Sequence, residues 1–255
     1  MLRSLNTAIS GLQQFQGQID VVGNNIANVN TTGFKTARTD FEDSFSQALA
    51  GPNTQVGSGV STAATSSNYN QGAITNTEVG TDLAISGEGF FVVRNTVDDK
   101  QYATRAGDFH FDSTGYLVTT DGLRVQGSTG DLLVDPATVA SFNIDRNGFI
   151  NVTKTDGTTV VSGQVMLQKF SNPNALVKEG DNLYSGTAAA GPLAAIAAPQ
   201  TNGLGSIQSG ALELSNVDLT NEMSNLIVAQ RAFQANARII TTSDEVLQEV
   251  VNLKR

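Results

Sequence analysis

The chain contains one histidine, His110, whose imidazole could act as a general base. It lies in the segment Phe109-His110-Phe111, where the alternation of side chains predicts a β-strand. A catalytic histidine needs a nucleophile beside it and a third group that orients the ring, and neither can be identified around this segment. We therefore interpret His110 as a histidine on a sheet surface or at an interface.

Three further segments carry residue types that could do chemistry. The segment from Asp145 to Gly148 resembles the start of a calcium loop, but the further ligands and the distant Glu of an EF-hand are missing. Gly87-Glu88-Gly89 lacks the third glycine of a dinucleotide-binding loop, and strands are predicted to follow it where that loop needs a helix. The pair Asp98–Asp99 could serve a glycosidase, but aromatic residues that would line a sugar site are scarce. We predict no catalytic residue, no cofactor and no metal site, and hence no enzyme.

The charge of the chain argues against binding to nucleic acid. There are 15 basic and 24 acidic residues, which give a net charge of −9, and no basic stripe could supply phosphate contacts. Only 15% of the residues are charged, whereas roughly 25% is typical of soluble domains. Uncharged polar surfaces can pack against copies of themselves without a large desolvation cost. The chain has no cysteine, which excludes disulfides and thiol nucleophiles.

Membrane and export signals are weak in this sequence. There is no run of about twenty apolar residues that could span a membrane, so we expect no membrane insertion. Polar residues between Ser4 and Gln14 interrupt the apolar stretch that a cleavable signal peptide requires. If the protein leaves the cytoplasm, we expect a route that needs no such signal.

Each end of the chain carries an apolar pattern with alternating spacings of three and four, which predicts helices that bury a stripe against other helices. The helices are predicted over about residues 2–28 and 218–253, and the second would be about 50 Å long. Gly11, Gly17 and Gly23 weaken the first helix by roughly 1 kcal/mol each, so we expect this end to become ordered only on assembly. The predicted assembly contacts are Leu5, Ile9, Leu12, Ile19, Ile26, Leu219, Met223, Leu226, Phe233, Ile240 and Leu247. Periodicity alone allows a helical hairpin within one chain, a coiled-coil oligomer, or both.

Between the helices the pattern changes to a period of two, with Asp-Gly and Asn-Gly pairs that favour tight hairpins. The predicted strands are Leu83–Ile85, Phe90–Val93, Tyr102–Arg105, Phe109–Phe111, Tyr116–Val118, Leu123–Gln126, Phe142–Ile144, Phe149–Val152 and Val165–Phe170. The predicted fold class is α+β, with terminal helices that form a coiled-coil domain and a central antiparallel β domain. We expect the helical domain over residues 1–35 and 216–255, an extended connector over 36–80, the β domain over 81–186 and a returning linker over 187–215.

The run from Asp20 to Lys35 contains Asn24, Asn25, Asn28, Gly33 and Phe34. It closely resembles the N-terminal motif of bacterial flagellar rod and hook proteins. The segments Leu83–Val93 and Tyr102–Phe109 are similar to the start of their β domain. Ser215–Leu219, Ile227–Phe233 and Thr241–Asp244 are similar to their closing helix. These motifs follow one another in the family's order and span essentially the whole chain.

The resemblance implies an axial structural subunit of the flagellum, located in the hook–basal body. In this family the terminal helices form an inner layer around the export channel and the β domain forms an outer layer. The implied partners are other copies of the chain in a helical homopolymer, other axial proteins, the flagellar type III export apparatus and the assembly cap. No enzymatic activity and no cofactor are implied.

Within that family we slightly prefer a short hook protein, with the distal rod protein as the alternative. The path from Phe45 through Leu49 to Val60 is short and hook-like. The segments Asn216-Val217-Asp218-Leu219 and Val251-Asn252-Leu253 are also more similar to hook than to rod proteins. The length fits a rod protein, since hook proteins usually carry an extra outer domain. An alternative of a different class is a surface or adhesive β protein whose ends form a coiled-coil oligomer.

Overall fold

The computed structural model describes residues 2–44, 46–48, 55–128, 130–135, 139–186, 190–191 and 196–253. The chain divides into two compact units. Unit 1 consists of Met1–Val29, Thr36–Asn68 and Val217–Arg255, and unit 2 consists of Asn30–Lys35 and Tyr69–Asn216. Phe45, Leu49 and parts of the expected connector and returning linker lie outside the described residues.

Unit 1 is built from two long helices and two strand pairs. Its elements are α1 (Leu2–Ala27), β1 (Ala37–Asp43), β2 (Ser46–Ala48), β3 (Gln55–Gly57), β4 (Val60–Ser67) and α2 (Leu219–Leu253). The strands β1 and β4 pair antiparallel from Ala37↔Ser67 to Asp43↔Val60, and β2 pairs with β3. Asp218 caps α2, because its carboxylate accepts hydrogen bonds from the backbone nitrogens of Thr220 and Asn221 at 2.9 and 3.3 Å.

Unit 2 is made of short antiparallel strands. They are β5 (Ile74–Asn76), β6 (Leu83–Ser86), β7 (Phe90–Arg94), β8 (Gln101–Thr104), β9 (Phe109–Phe111), β10 (Leu117–Thr119), β11 (Arg124–Gly127), β12 (Gly130–Asp131), β13 (Val139–Ile144), β14 (Phe149–Lys154), β15 (Thr159–Gln164), β16 (Leu167–Gln168), β17 (Val177–Gly180), β18 (Leu183–Ser185), β19 (Ser206–Ser209) and β20 (Ala211–Glu213). The largest sheet has the order β17-β18-β8-β7-β11-β10-β9, with β12 on β11 and β16 on β7. A second sheet has the order β13-β14-β15, while β19 pairs with β6 and β20 with β5.

The main core of unit 2 lies between these sheets and is aliphatic with a few phenylalanines. Its fully buried members include Leu83, Ile85, Phe91, Val93, Leu117, Val125, Ile150, Val165 and Leu167. A smaller cluster contains Phe90, Phe170, Leu176 and Tyr184, and the ring of Phe90 packs edge to face with those of Phe170 and Tyr184. The predicted α+β class, with terminal helices and antiparallel sheets, is confirmed.

The segments expected to be a connector and a linker contain additional strands. The residues of β1 and β4 fall within the expected connector, and β19 and β20 fall within the expected linker. In β4, Val60–Ser67, the sequence is VSTAATSS, which carries almost no apolar signal of period two. These strands are specified mainly by pairing with distant segments, which a local pattern does not reveal.

Candidate assembly surface

The two long helices of unit 1 pack against each other in antiparallel directions. A Cβ built on Gly11 of α1 would lie 2.9 Å from Asn236 Nδ2 of α2. Fourteen residues further along α1, Asn25 Nδ2 donates a hydrogen bond of 3.3 Å to Glu222 Oε2, fourteen residues earlier in α2. Because the residue number rises by fourteen in α1 and falls by fourteen in α2 between these two contacts, the helices are antiparallel. The helical hairpin that periodicity left open is therefore present within one chain.

The stripe of α2 that faces α1 differs by one residue from the predicted stripe at every second contact. Leu226, Phe233, Ile240 and Leu247 are half-buried, as expected for a seam. Between them the covered residues are Glu222, Ala229, Asn236 and Ser243, and Ala229 is fully buried. At the first of these levels the predicted contact was the neighbouring Met223, which is exposed. Small and polar residues allow close approach to Gly11 but leave little hydrophobic signal, so sequence reasoning missed them.

The predicted assembly contacts fall into two groups by exposure. Leu5, Leu12, Ile19, Ile26, Leu226, Phe233, Ile240 and Leu247 are half-buried. Ile9, Leu219 and Met223 are exposed, with 39%, 44% and 51% of their surface accessible. In α1 the buried residues are Ala8, Gly11, Val22 and Asn25, and none of them is a predicted assembly contact.

A second apolar stripe on α2 was not predicted. It contains Val228, Ile239, Val246, Val250 and Leu253, all of them exposed. Ile239, Val246 and Leu253 are seven residues apart, and Ala232 continues the same spacing. This stripe lies beside the stripe that faces α1, and a search for two adjacent seams on α2 would have found it. Its last residues also extend past α1, because the antiparallel register places Leu2 level with residue 245 and leaves about 12 Å of α2 beyond it.

The β1–β4 pair covers another side of α1. The rings of Phe15 and Phe41 meet edge to face with centroids 5.9 Å apart, and the Thr62 hydroxyl donates a hydrogen bond to Gln14 Oε1. Ser10 Oγ accepts a hydrogen bond of 3.4 Å from the Val60 nitrogen. The glycine-containing helix α1 thus has two partners within its own chain.

The asparagines of the family motif close the end of α1. Asn25 is almost fully buried, and its amide forms two hydrogen bonds with the backbone of Ala37 in β1, at 2.8 and 3.0 Å. Its further bond to Glu222 joins α1, β1 and α2 through one side chain. Asn28 Nδ2 donates to the carbonyl oxygen of Asn24 at 2.9 Å, which satisfies a carbonyl at the helix terminus. These contacts explain the need for asparagine, since a hydrocarbon side chain offers neither donor nor acceptor.

Gly33 and Phe34 of the motif belong to unit 2. Gly33 has a φ of 67°, and a Cβ at this position would lie 2.5 Å from the Ala106 nitrogen. Both the backbone conformation and the space therefore require glycine. Phe34 is buried, and Lys178 Nζ lies 5.1 Å from its ring centroid.

The next residue, Lys35, is part of a buried charge cluster in unit 2 that also contains Glu213 and Arg105. Lys35 Nζ lies 2.6 Å from Glu213 Oε1, and Arg105 Nη1 lies 3.1 Å from Glu213 Oε2. All three side chains are at most 4% exposed. The Gly72 nitrogen donates a further hydrogen bond to Glu213 Oε1 at 2.9 Å. The cluster joins the end of the N-terminal motif, the segment after β8 and the strand β20.

Two cations share one carboxylate in this cluster. Burial lowers the pKa of Lys35, and the Glu213 carboxylate acts in the opposite direction. Burial likewise lowers the pKa of Arg105, again opposed by Glu213. Two further donors are used by backbone oxygens, since Lys35 Nζ donates to Asn70 at 2.9 Å and Arg105 Nη2 to Gly87 at 3.0 Å. Arg105 Nε is buried without a hydrogen-bond partner among the described residues. The cluster is enclosed and its charged groups are paired, which suits a structural role.

The residues first considered for chemistry lie in turns or on the surface. His110 is exposed on β9, and the segment from Asp145 to Gly148 is the turn between β13 and β14, where the Gly148 nitrogen donates to the Asp145 oxygen at 2.8 Å. Asp99 forms an ion pair of 2.9 Å with Arg94. Among the described residues, no group of three or more His, Cys, Asp or Glu side chains could hold a metal ion.

Comparison with known proteins identifies the family. Three family profiles match, described as "Flagella basal body rod protein" over residues 5–35, "Flagellar hook protein FlgE/F/G D1 domain" over 84–161 and "Flagellar basal body rod FlgEFG protein C-terminal" over 208–253. The flagellar basal-body rod protein FlgG of Bacillus subtilis (strain 168) is 44% identical, and the alignment covers 100% of both chains. The chain belongs to the flagellar basal-body rod and hook protein family. It is a component of the flagellar basal-body rod, which confirms the predicted location in the hook–basal body.

Other members of the family give the same picture. The rod protein FlgG of Borreliella burgdorferi is 39% identical over 100% of both chains, and that of Caulobacter vibrioides is 36% identical over 99% of this chain and 100% of the relative. The flagellar hook protein FlgE of Borreliella burgdorferi is 26% identical. These values favour the rod alternative over the hook, which the sequence segments had led us to prefer slightly.

Membership of this family confirms the prediction of a structural protein and not an enzyme. It also implies assembly with other axial flagellar proteins, and it counts against the surface or adhesive protein considered above. Within the described residues, neither helix is apolar enough over a sufficient length to cross a membrane.

Proposed function

We propose that this chain is the distal rod subunit of the flagellar basal body and that it polymerises into a tube that transmits motor torque. The observation that carries this proposal is the identity of 44% to a rod protein FlgG over the full length of both chains. The hook protein FlgE of Borreliella burgdorferi is less similar, at 26%. Both relatives fall within the family that this chain matches, so the distinction rests on overall similarity.

The exposed stripe of α2 supports polymerisation through the helices. Its five large members would lose their contact with water against the helices of neighbouring copies. Burying the exposed half of five such side chains contributes on the order of 5 kcal/mol per subunit. The stripe that faces α1 is already used within the chain, so the second stripe is available for other copies.

The contacts between copies are proposed to be heterologous, since such contacts form an open helical tube when their rotation does not close a ring. Other axial proteins would adjoin the tube, and the type III export apparatus and the assembly cap would deliver and place each subunit. Unit 2 would supply lateral contacts that set bending stiffness.

Substitution in the exposed stripe tests the helical interface. The double variant Ile239→Asp and Val246→Asp should not polymerise, because two charges would have to be buried between copies. Val97 and Val177, which are 88% and 56% exposed in unit 2, provide the matched control Val97→Asp with Val177→Asp. The measurements are light scattering and negative-stain electron microscopy, with circular dichroism to verify helical content. Normal tubes from the double variant would show that this stripe is not the interface.

The same approach applies to the predicted seam. Leu226→Asp and Phe233→Asp should also abolish assembly while unit 2 stays folded. Because these two residues are half-buried in the hairpin, their loss should additionally reduce helical content. The stripe variants therefore isolate the contact between copies more cleanly.

The position of the subunit is tested by immunogold electron microscopy of purified hook–basal bodies, with an antibody raised against unit 2. Label on the straight segment below the hook is the expected result. Label along the curved external segment would instead identify a hook subunit.

A further inference from the structure

One face of α2 carries two arginines that form no ion pair with any residue that the structure describes. Arg231 and Arg238 are both exposed and are seven residues apart, which places them on the same side of the helix. They follow the covered residues Ala229 and Asn236 by two positions, about 200° around the helix, so they point away from α1. The nearest side-chain contact of Arg231 is a hydrogen bond of 3.3 Å to Gln234.

The sequence around these arginines leaves their charge uncompensated within α2. No Asp or Glu lies three or four residues before or after either one. Neither forms an ion pair within the part of the chain that the structure describes. The acidic residues of α2 are found near its two ends, so the middle of its outer face is basic.

The opposite charge is concentrated on β1, which also belongs to unit 1. Its sequence ARTDFED places three carboxylates in four residues. Glu42 and Asp43 are exposed, and Glu42 accepts only a hydrogen bond of 3.2 Å from Ser61. Asp40 pairs at 3.2 Å with Arg38, a side chain that is itself 76% exposed. The paired strand β4 contains no charged residue, so this edge has a net negative charge.

The two surfaces match in charge. Seven residues of helix separate the two arginines by about 10.5 Å along the axis. Asp40 and Glu42 point to the same face of β1, about 7 Å apart, and this face is opposite to the one on which Phe41 contacts Phe15 of α1. Within one chain β1 packs on α1, while the arginine face of α2 points away from α1, so the two surfaces are available to different copies.

We propose that the acidic strand β1 of one copy docks on the Arg231 and Arg238 face of α2 in the next copy. This inference rests on the proposed function, which places many copies side by side. The chain has a net charge of −9, so copies repel one another unless charges of opposite sign meet at their contacts. Because the two surfaces differ, the contact is heterologous and can be repeated without closure. It gives the second copy a fixed orientation, while the apolar stripe of α2 supplies most of the affinity.

Charge reversal and charge exchange test the contact in the full-length chain. Arg231→Glu with Arg238→Glu should raise the critical concentration for polymerisation about tenfold at low salt, since attraction becomes repulsion. Adding Asp40→Arg and Glu42→Arg, which lie on the outer face of β1, to this variant should restore the critical concentration to within about threefold of wild type. Lys100→Glu with Arg146→Glu is the matched control, because both residues are exposed in unit 2 and the change in net charge is the same. Arg231→Gln with Arg238→Gln, which adds no negative charge, should give an intermediate value.

The possible outcomes separate this contact from the proposed function. If the reversal variant polymerises like its control, or if charge exchange restores nothing, the contact between β1 and α2 is wrong while the tube-forming subunit stands. If the wild-type chain forms no polymer at any salt concentration, the proposed function is wrong and the contact with it. Polymerisation of all variants is followed by light scattering between about 20 and 500 mM salt, a range over which exposed pairs lose most of their attraction.

Discussion

Replacing Glu213 by Gln tests whether the buried charge cluster holds unit 2 together. Three donors point at this carboxylate, two of them at Oε1 and one at Oε2. A carboxamide has only one acceptor oxygen, so its NH₂ group would face a donor whichever way it is turned. The substitution also leaves Lys35 and Arg105 as two buried cations without an anion. Removing one partner of a buried ion pair costs about 3–5 kcal/mol, and we expect the free energy of unfolding of unit 2 to fall by that amount.

Lys35→Met is the matched comparison, because it leaves a balanced pair of one anion and one cation. Glu213 would keep its hydrogen bonds from Gly72 and Arg105. The Asn70 oxygen would keep a donor, since Asn216 Nδ2 binds it at 3.0 Å. We expect a loss of about 1–2 kcal/mol, close to the value of one hydrogen bond to a charged group.

Intrinsic tyrosine fluorescence measures this effect in the intact protein. The chain has four tyrosines and no tryptophan, and all four, Tyr69, Tyr102, Tyr116 and Tyr184, lie in unit 2. Urea titrations followed at these residues therefore report the unfolding of unit 2 alone.

The pH dependence gives a second test. Without Glu213 the pKa of Lys35 should fall further below its unfolded value of about 10.4, so the unfolded state binds more protons below that pH. The stability of the Glu213→Gln variant should therefore rise towards wild type as the pH approaches 10, whereas that of Lys35→Met should not. A loss below about 1 kcal/mol for Glu213→Gln, or a larger loss for Lys35→Met, would refute the reasoning.

Two further predictions concern unit 2. Burial raises the pKa of Tyr184 above its ordinary value, so above about pH 10 the unfolded state loses a proton that the folded state keeps, and stability falls by up to about 1.4 kcal/mol per pH unit. Tyr184→Phe should reduce this alkaline loss, which urea titrations at pH 8 and 11 measure. An equal loss of stability between these two pH values in both proteins would be the contrary result. Gly33→Ala should destabilise unit 2 by about 1–3 kcal/mol, because Gly33 has a positive φ and the added Cβ would collide with the Ala106 nitrogen. The midpoint of thermal unfolding, followed by tyrosine fluorescence, tests this prediction. An unchanged midpoint would show that the loop can move aside.

The strands of the central region were predicted well where local patterns are strong. Phe90 to Val93 and Phe109 to Phe111 alternate or lie between glycine turns, and the structure places strands there. The expected strand over Val165–Phe170 is shorter, with only Leu167 and Gln168 paired in β16. Polar strands such as β4 and β20 depend on partners far away in sequence, which no local pattern specifies.

The charge cluster could not have been predicted from spacing. Lys35 and Glu213 are 178 residues apart, and each is an ordinary charged residue in its own segment. The resemblance to rod and hook proteins identified Gly33 and Phe34 as motif residues, but it did not show why these residue types are needed. Their structural setting, close to Ala106 and Lys178, becomes evident only when the segments are brought together.

The contact stripe of α2 was the least predictable part of the candidate site. Its residues Ala229, Asn236 and Ser243 are small or polar, whereas Val228, Ile239 and Val246 of the separate exposed stripe are strongly apolar. Apolar periodicity therefore gives no signal for half of the contact that builds the hairpin. The contact residues Leu226, Phe233, Ile240 and Leu247 were predicted correctly as seam residues because they are large and apolar.

This division of α2 has a genetic consequence. Ala229 is fully enclosed, so alleles that enlarge it should remove the subunit from the cell by exposing unfolded chain to proteases. Alleles at Val228, the neighbouring residue, should leave a normal amount of subunit that cannot be added to the growing axis. Adjacent codons would thus give the same non-motile phenotype for opposite reasons, one through loss of abundance and the other through loss of incorporation. Mixed expression would separate them, since only the stable subunit could interfere with wild-type assembly.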